Sequence, residues 1–150
     1  MRVIKYFLYS ALTLTSGNLS AEQFPLPVKM SKTQIAGEIF TDNVPVVEKH
    51  ENEKGVYTTE DVEAFLSSDK HFDSGMYRSG ASRFVISDAY GVDEFMYFLE
   101  GGVTLTSANG EKMEIKTGDA VTIPKEWTGV WETDGYTKIY VIYSADSTIE

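Results

Sequence analysis

The chain has no cysteine, only two histidines and few basic residues for its length. The lack of cysteine excludes a disulfide frame, a thiolate metal site and a cysteine nucleophile. Among 150 residues, 13 lysines and arginines stand against 23 aspartates and glutamates, which gives a formal net charge of -10. A surface this acidic repels phosphate backbones and anionic lipids. We therefore expect no nucleic-acid partner.

Motifs that mark several common enzyme classes are also missing. The sequence contains no Ser-His-Asp arrangement, no phosphate-cradling glycine loop and no zinc-binding helix motif. Its composition is otherwise that of a globular protein, with 42% hydrophobic and 13% aromatic residues. A chain of this length can bury a sizeable core, so we predict a single folded domain.

The first 21 residues have the layout of a secretory signal peptide. Arg2 and Lys5 precede an apolar stretch from Tyr6 to Leu14, and small or polar residues follow up to Ala21. The apolar stretch is too short to span a bilayer, which takes about 20 residues. The alternative is a buried N-terminal helix. We expect cleavage after Ala21 and a periplasmic or secreted protein without a membrane partner.

Residues 22–73 are expected to form an N-terminal arm and one short helix. Prolines and a polar stretch at 48–55 indicate an extended arm with one or two short strands over residues 22–57. The stretch 58–68 opens with Thr58 and Asp61, which fit a capping box. Its apolar residues follow at helical spacing: Val62, Phe65 and Leu66. This pattern predicts a helix of about three turns.

Residues 74–150 have the pattern of an all-β unit. Six or so short apolar stretches are separated by turn residues, which indicates a sandwich or a barrel. One long strand is expected to bend at Gly101-Gly102. Asn109-Gly110 predicts a two-residue hairpin turn of type I′, in which both residues have positive φ. Gly118-Asp119 predicts another turn, and Asp134-Gly135 predicts a closing hairpin.

Two spaced motifs in this unit resemble those of the cupins. Glu94 and Gly101, with six residues between them, match half of the first cupin motif, and Gly118 and Pro124 match half of the second. The pattern between about residues 74 and 143 further resembles the ureidoglycine aminohydrolase-like cupin family. The matching segments are Asp93-Glu94-Phe95, Leu99-Glu100-Gly101, Gly118-Asp119-Ala120, Ile123-Pro124, Trp127-x-Gly129-x-Trp131 and Lys138-x-Tyr140. The resemblance implies an all-β cupin jelly-roll β-barrel and a homodimer.

Many cupins bind a divalent metal through three histidines and a glutamate, and the resemblance identifies the corresponding positions in this chain. Its histidine positions hold Asp88, Tyr90 and Gly129 here, and only the glutamate, Glu94, is kept. We expect no cofactor and no metal site. If a metal did bind, Asp88 and Glu94 would be its ligands, and such oxygen donors favour hard cations such as Mg²⁺.

Glu94 and Lys138 are the candidate catalytic residues. The cupin match directs Glu94 into the barrel, where a carboxylate needs a partner, and Lys138 on the closing strand is the obvious one. Such a pair can carry acid–base chemistry if burial shifts its pKa values, but structural ion pairs are as common. The alternative is that Glu94 lies solvated at the mouth of the barrel.

Aromatic residues near this pair are the candidate ligand-binding residues. They are Tyr90, Phe98, Trp127, Trp131 and Tyr140. Because Gly129 has no side chain, we expect a gap between the two tryptophans that suits a sugar ring or another flat small molecule. The alternative is that both tryptophans are ordinary core residues.

These features predict an exported cupin that binds or acts on a small polar metabolite, such as a sugar or an amino-acid derivative. Two other functions stay open. One is a metal-dependent enzyme of the ureidoglycine aminohydrolase type, which the resemblance alone implies. The other is a structural or interaction role for a barrel filled with side chains.

Overall fold

The computed structural model describes residues 25–149. The predicted signal peptide, residues 1–21, lies outside the described residues. Within them, no helix is both long and apolar enough to cross a membrane. A short helical segment that is kinked at Gly37 and one α-helical turn are followed by seven strands: Gln34–Glu38 (kinked segment), α1 Ile39–Asp42, β1 Val46–Asn52, β2 Gly55–Leu66, β3 Phe72–Ile86, β4 Asp93–Ser107, β5 Lys112–Lys116, β6 Ala120–Ile123 and β7 Gly129–Tyr143.

The strands form one antiparallel sheet in the order β1-β2-β3-β7-β4-β5, and β6 pairs with the first half of β4. β7 lies between β3 and β4 and pairs with each of them over almost its whole length. The sheet curls around a core that contains Met96, Phe98, Leu105 and Trp131. The prediction of an all-β fold is therefore confirmed.

The N-terminal segment covers a second, smaller core on the sheet. Ile39 and Phe40 pack against Val62 and Met76, and all four side chains are buried. The arm predicted for residues 22–57 thus contains one strand, β1, and a short helical segment that the sequence pattern did not predict.

The helix predicted at 58–68 is wrong, because these residues belong to β2. β2 pairs with β1 on one side and with β3 on the other. A register shift between Glu63 and Phe65 inserts an extra residue, so Val62 and Phe65, three positions apart, lie opposite Met76 and Ser74, two residues of one face of β3. The bulge therefore imitates helical spacing in a strand that is held from both sides.

The closing hairpin predicted at Asp134-Gly135 is also wrong, because β7 runs without a turn through both residues. Gly135 pairs with Gly80 on β3 and with Gly102 on β4. Two neighbouring strands therefore satisfy the backbone groups of β7, and a reversal here would lose those hydrogen bonds. Gly135 has a φ of 125°, which only glycine adopts readily, and the strand kinks there instead of turning.

This kink changes which residues of β7 face inward. Before it, Trp131 and Thr133 are buried, at odd positions, whereas after it Tyr136, Lys138 and Tyr140 are buried, at even positions. In a regular strand these two sets would face opposite sides of the sheet. The irregularity at Gly135 brings Trp131 and Lys138 to the same interior.

Of the three remaining turn predictions, two are confirmed and the third is correct in position but not in turn type. The bend at Gly101-Gly102 is confirmed by register shifts in β4 on both sides of it, and Gly118 forms the predicted turn. The hairpin at Asn109-Gly110 exists, but it is not of type I′, because Lys70 is the only non-glycine residue with positive φ among those described. The side chain of Asn109 accepts the N–H of Glu111, and this bond holds an alternative turn conformation.

Candidate functional site

A buried ion pair lies at the centre of the candidate site. Lys138 Nζ on β7 lies 2.6 Å from Oε1 of Glu94 on β4, and both side chains are less than 10% exposed. The alternative of a solvated Glu94 is therefore wrong. Tyr90 donates its hydroxyl to the other carboxylate oxygen of Glu94, and Lys138 Nζ also lies 3.2 Å from the sulfur of Met96. Each member of the pair thus has partners in addition to the other.

Three aromatic rings surround the ammonium of Lys138. The distances from its Nζ to the ring centres are 5.3 Å for Tyr77, 5.6 Å for Trp131 and 5.8 Å for Tyr136. The faces of such rings carry partial negative charge and attract cations. The rings therefore help to stabilise an ammonium that has been removed from water, in addition to Glu94.

The ion pair opens onto a pocket of about 240 Å³. Five of the predicted site residues line it: Tyr90, Glu94, Trp131, Lys138 and Tyr140. Sequence reasoning missed five more: Asp61, Tyr77, Phe84, Tyr136 and Ile142. The lining thus combines aromatic rings with three charged groups, and residues of β2, β3, β4, β7 and the β3–β4 connection supply it.

Three of the predicted residues do not line this pocket. Phe98 is fully buried in the core, where its ring meets Tyr136 edge-on at 5.4 Å between centroids. Trp127 lies beside the pocket, with its ring at 75° to that of Tyr90 and its indole N–H donated to Ser107 Oγ at 3.1 Å. Asp88 is exposed to solvent.

The gap expected at Gly129 is filled. A Cβ atom at this position would lie 2.3 Å from the carbonyl oxygen of Thr106 and 2.7 Å from Cζ2 of Trp127. Backbone and indole ring occupy the space that a side chain would need, so no cavity lies between the two tryptophans at this point. The cavity lies on the side of Trp131 where Phe84 stacks almost parallel to it, with 5.9 Å between the ring centroids.

Asp61 supplies a second carboxylate to the pocket. Its Oδ1 accepts the hydroxyl of Tyr140 at 3.0 Å. Burial raises the pKa of Asp61 above its usual value, although the Tyr140 hydrogen bond and the charge of Lys138 act in the opposite direction. Within the described part of the chain, Asp61 has no ion-pair partner within 4.0 Å.

Asp73 is a further carboxylate, buried on β3 close to Asp61. It is 6% exposed, and its Oδ1 has no hydrogen-bond partner among the described residues. Burial raises the pKa of Asp73 to about 6, and the negative charges of Glu63 and Asp61 contribute to the same shift. Asp73 therefore changes charge near neutral pH, within a cluster that reaches the pocket through Asp61.

The donors present do not fit the metal that the cupin resemblance implies. The described residues contain no group of three or more histidine, aspartate or glutamate side chains that could hold a metal ion. At Glu94, the two oxygens already bond to the Lys138 ammonium and the Tyr90 hydroxyl. The Lys138 ammonium thus places a fixed positive charge beside the one carboxylate that the cupin motif retains.

Comparison with solved structures shows that the fold is similar to that of several cupins. The EutQ protein of Clostridium difficile aligns over 61% of this chain and 71% of its own, with 22% identity and a TM-score of 0.51. A putative ethanolamine utilization protein Q from Salmonella typhimurium LT2 aligns over 68% of this chain and 97% of its own, with 19% identity and a TM-score of 0.50. A protein of unknown function from Pseudomonas syringae pv. tomato aligns over 66% of this chain and 43% of its own, with 20% identity and a TM-score of 0.58.

Identities at this level establish the fold alone. Comparison with curated protein sequences gives no match. A scan against family models matches residues 66–140 to the EutQ-like cupin domain, which covers half of the chain. The cupin jelly-roll predicted from the sequence is therefore confirmed, and this chain belongs to the EutQ-like cupin domain family.

Proposed function

We propose that this protein binds a small polar molecule in the pocket beside the Glu94–Lys138 ion pair, without a bound metal. The observation that carries the proposal is the cavity of about 240 Å³ between aromatic rings and fixed charges. Drug-sized ligands occupy pockets of roughly 300–1,000 Å³, so this volume suits a smaller metabolite. A sugar or an amino-acid derivative is of the expected size.

The polarity of the lining supports a ligand with hydrogen-bonding groups. Trp131 is buried, and its indole N–H has no hydrogen-bond partner among the described residues. An unpaired buried donor costs free energy, on the order of 1–3 kcal/mol, which a ligand oxygen would recover. Tyr77 and Tyr136, which also carry hydroxyl groups, are further residues of the lining.

The proposal is one of binding rather than of catalysis. Both oxygens of Glu94 already accept hydrogen bonds from the protein, an arrangement that fixes the carboxylate instead of leaving it free to take a substrate proton. A catalytic role for Glu94 and Lys138 stays a prediction. A metal-dependent activity of the ureidoglycine aminohydrolase type lacks a matching set of metal ligands in the described residues.

Export to the periplasm or the exterior and assembly into a homodimer also stay predictions. The first depends on residues 1–21, and the second on the resemblance to other cupins. Neither is required for a small molecule to bind in the pocket.

Tryptophan fluorescence tests the proposal directly, since the chain has two tryptophans and only Trp131 lines the pocket. A Trp127→Phe variant leaves Trp131 as the single indole. We expect a saturable change in its emission during titration with at least one compound from a panel of monosaccharides, amino acids and amino-acid amides, and we expect the same change in the presence of EDTA. If no compound changes the emission or raises the melting temperature, the proposal is wrong.

A further inference from the structure

We infer that the pocket selects small molecules with a positively charged amino group, which the carboxylate of Asp61 binds. This inference rests on the proposed function and names the chemical class of its ligand. A neutral sugar and an anionic metabolite are the two classes that it excludes as preferred ligands.

The charges of the lining are unbalanced. Two carboxylates, Asp61 and Glu94, and one ammonium, Lys138, line the pocket, which leaves a net charge of -1 when all three are ionised. Glu94 and Lys138 lie 2.6 Å apart and compensate each other. The uncompensated charge is therefore that of Asp61.

The protein around Asp61 provides few hydrogen-bond donors to its carboxylate. It is half-buried, and the hydroxyl of Tyr140 is the side-chain donor that it has. A carboxylate that has lost part of its water gains most from a charged donor, because a charge-assisted hydrogen bond is roughly twice as strong as a neutral one. An ammonium group on the ligand supplies such a donor, and a hydroxyl group supplies only a neutral one.

The aromatic wall favours the same charge. Tyr77, Phe84 and Trp131 all line the pocket. The ring faces attract a cation and repel an anion. Lys138 already demonstrates that this wall can accommodate an ammonium group, since its Nζ lies within 6 Å of three ring centres.

An anionic ligand meets the opposite conditions. Its natural partner would be Lys138, but the carboxylate of Glu94 already contacts that ammonium at 2.6 Å. It would also lie in the same small cavity as the uncompensated charge of Asp61. Like charges at short range inside a protein repel strongly.

The indole N–H of Trp131 adds a second requirement. It is an unpaired donor in a residue that lines the pocket, and an acceptor on the ligand would satisfy it. The class that satisfies both Asp61 and Trp131 is a short amine that also carries a neutral oxygen acceptor.

Three compounds of one length separate the charge classes: 4-amino-1-butanol, 1,4-butanediol and 4-hydroxybutanoate. Titration calorimetry of the full chain at pH 7.5, where a primary amine is protonated, measures their dissociation constants. We expect the amine to bind at least about tenfold more tightly than the diol, and the carboxylate to bind most weakly. The reason is that replacing a neutral hydrogen bond with a charge-assisted one lowers the dissociation constant by about one factor of ten. Equal or tighter binding of the diol or the carboxylate overturns the inference and leaves the proposed function standing.

Asp61→Asn provides the matched variant, because it keeps an acceptor for Tyr140 and removes only the charge. We expect it to weaken amine binding about tenfold and diol binding by no more than about twofold. Asp134→Asn is the control, since the side chain of Asp134 is 99% exposed and lies outside the pocket. An unchanged amine affinity in Asp61→Asn overturns the inference. If none of the three compounds binds, the inference is also wrong, and failure of the wider panel as well removes the proposed function.

Discussion

The ammonium of Lys138 lies 2.6 Å from the carboxylate of Glu94 in the interior of the barrel. Removing two charges from water is costly, and their mutual attraction offsets that cost only where further partners satisfy them. Tyr90 is such a partner for Glu94, and the sulfur of Met96 and the surrounding rings are partners for Lys138. The pair therefore forms a neutral unit, and either charge alone would be poorly tolerated.

Glu94→Gln is expected to destabilise the fold, because it leaves the ammonium of Lys138 buried without a counter-charge. Removing one partner of a buried pair typically costs about 3–5 kcal/mol. The double variant Glu94→Gln/Lys138→Met also removes the unpaired ammonium, and we expect it to recover a large part of the lost free energy of unfolding. Urea unfolding of the four proteins in the cycle measures the coupling free energy between the two residues.

The exposed pair Glu114–Lys116 supplies the control for this cycle. Both side chains are more than 60% exposed, and Glu114→Gln should change stability by less than about 1 kcal/mol. If Glu94→Gln is as mild as Glu114→Gln, the two charges are not buried together in solution.

Asp73→Asn is expected to stabilise the protein in a pH-dependent manner. The pKa of Asp73 is raised to about 6, so the folded state holds this proton more tightly than the unfolded chain does. The resulting stabilisation is complete below the usual aspartate pKa near 4 and is lost as the pH rises through about 6. Above that pH the ionised carboxylate faces Glu63 and Asp61 from β2 and Tyr140 from β7.

Asparagine carries no charge at any pH, so the free energy of unfolding of the variant should rise relative to that of the wild type between pH 4.5 and 7.5. With allowance for solvent screening, the gain is on the order of 1 kcal/mol. Urea unfolding of both proteins at several pH values gives the difference. A difference that stays constant with pH would contradict the raised pKa.

The core of the site could be predicted from the sequence, because a carboxylate on an inward-facing strand position needs a partner. The spacing from Glu94 to Gly101 identified that position, and Lys138 was the cation at the right place on another strand. Tyr140 followed from its alternation with Lys138, and Trp131 from its alternation with Trp127 and Gly129. These residues lie in regular stretches of β4 and β7, where sequence period and side-chain direction agree.

Asp61 was missed for the opposite reason. The bulge between Glu63 and Phe65 gave β2 a helix-like apolar spacing, so Asp61 was interpreted as a capping residue instead of a pocket residue. Likewise, Asp134-Gly135 was interpreted as a hairpin turn, so Tyr136 was not recognised as a pocket residue. Both irregularities depend on pairing with strands that are distant in sequence, and a local sequence pattern contains no information about such pairing.

Gly75→Ala is expected to disturb the position of Tyr140. A Cβ atom at Gly75 would lie 2.6 Å from the Tyr140 hydroxyl and 2.3 Å from the carbonyl oxygen of Val62, so the neighbours have to move. Overpacking of this kind costs about 1–3 kcal/mol. Thermal unfolding should show the loss. The same substitution at Gly80, where the nearest atom is 3.2 Å away, should cost less, and an equal cost at both positions would argue against the close packing of Tyr140 on β3.

Ile142→Phe is expected to fill the pocket and abolish ligand binding without unfolding the protein. Ile142 lines the cavity, and a larger ring there takes up part of the roughly 240 Å³ available. Val141→Phe is the matched control, because adjacent residues of a strand point to opposite faces and Val141 does not line the pocket. Both substitutions add similar bulk to β7, so their effects on the melting temperature should be comparable. Titration of each variant with a ligand of the wild type then separates the two faces: binding should be lost in Ile142→Phe alone, and binding that survives there would place the ligand outside this cavity.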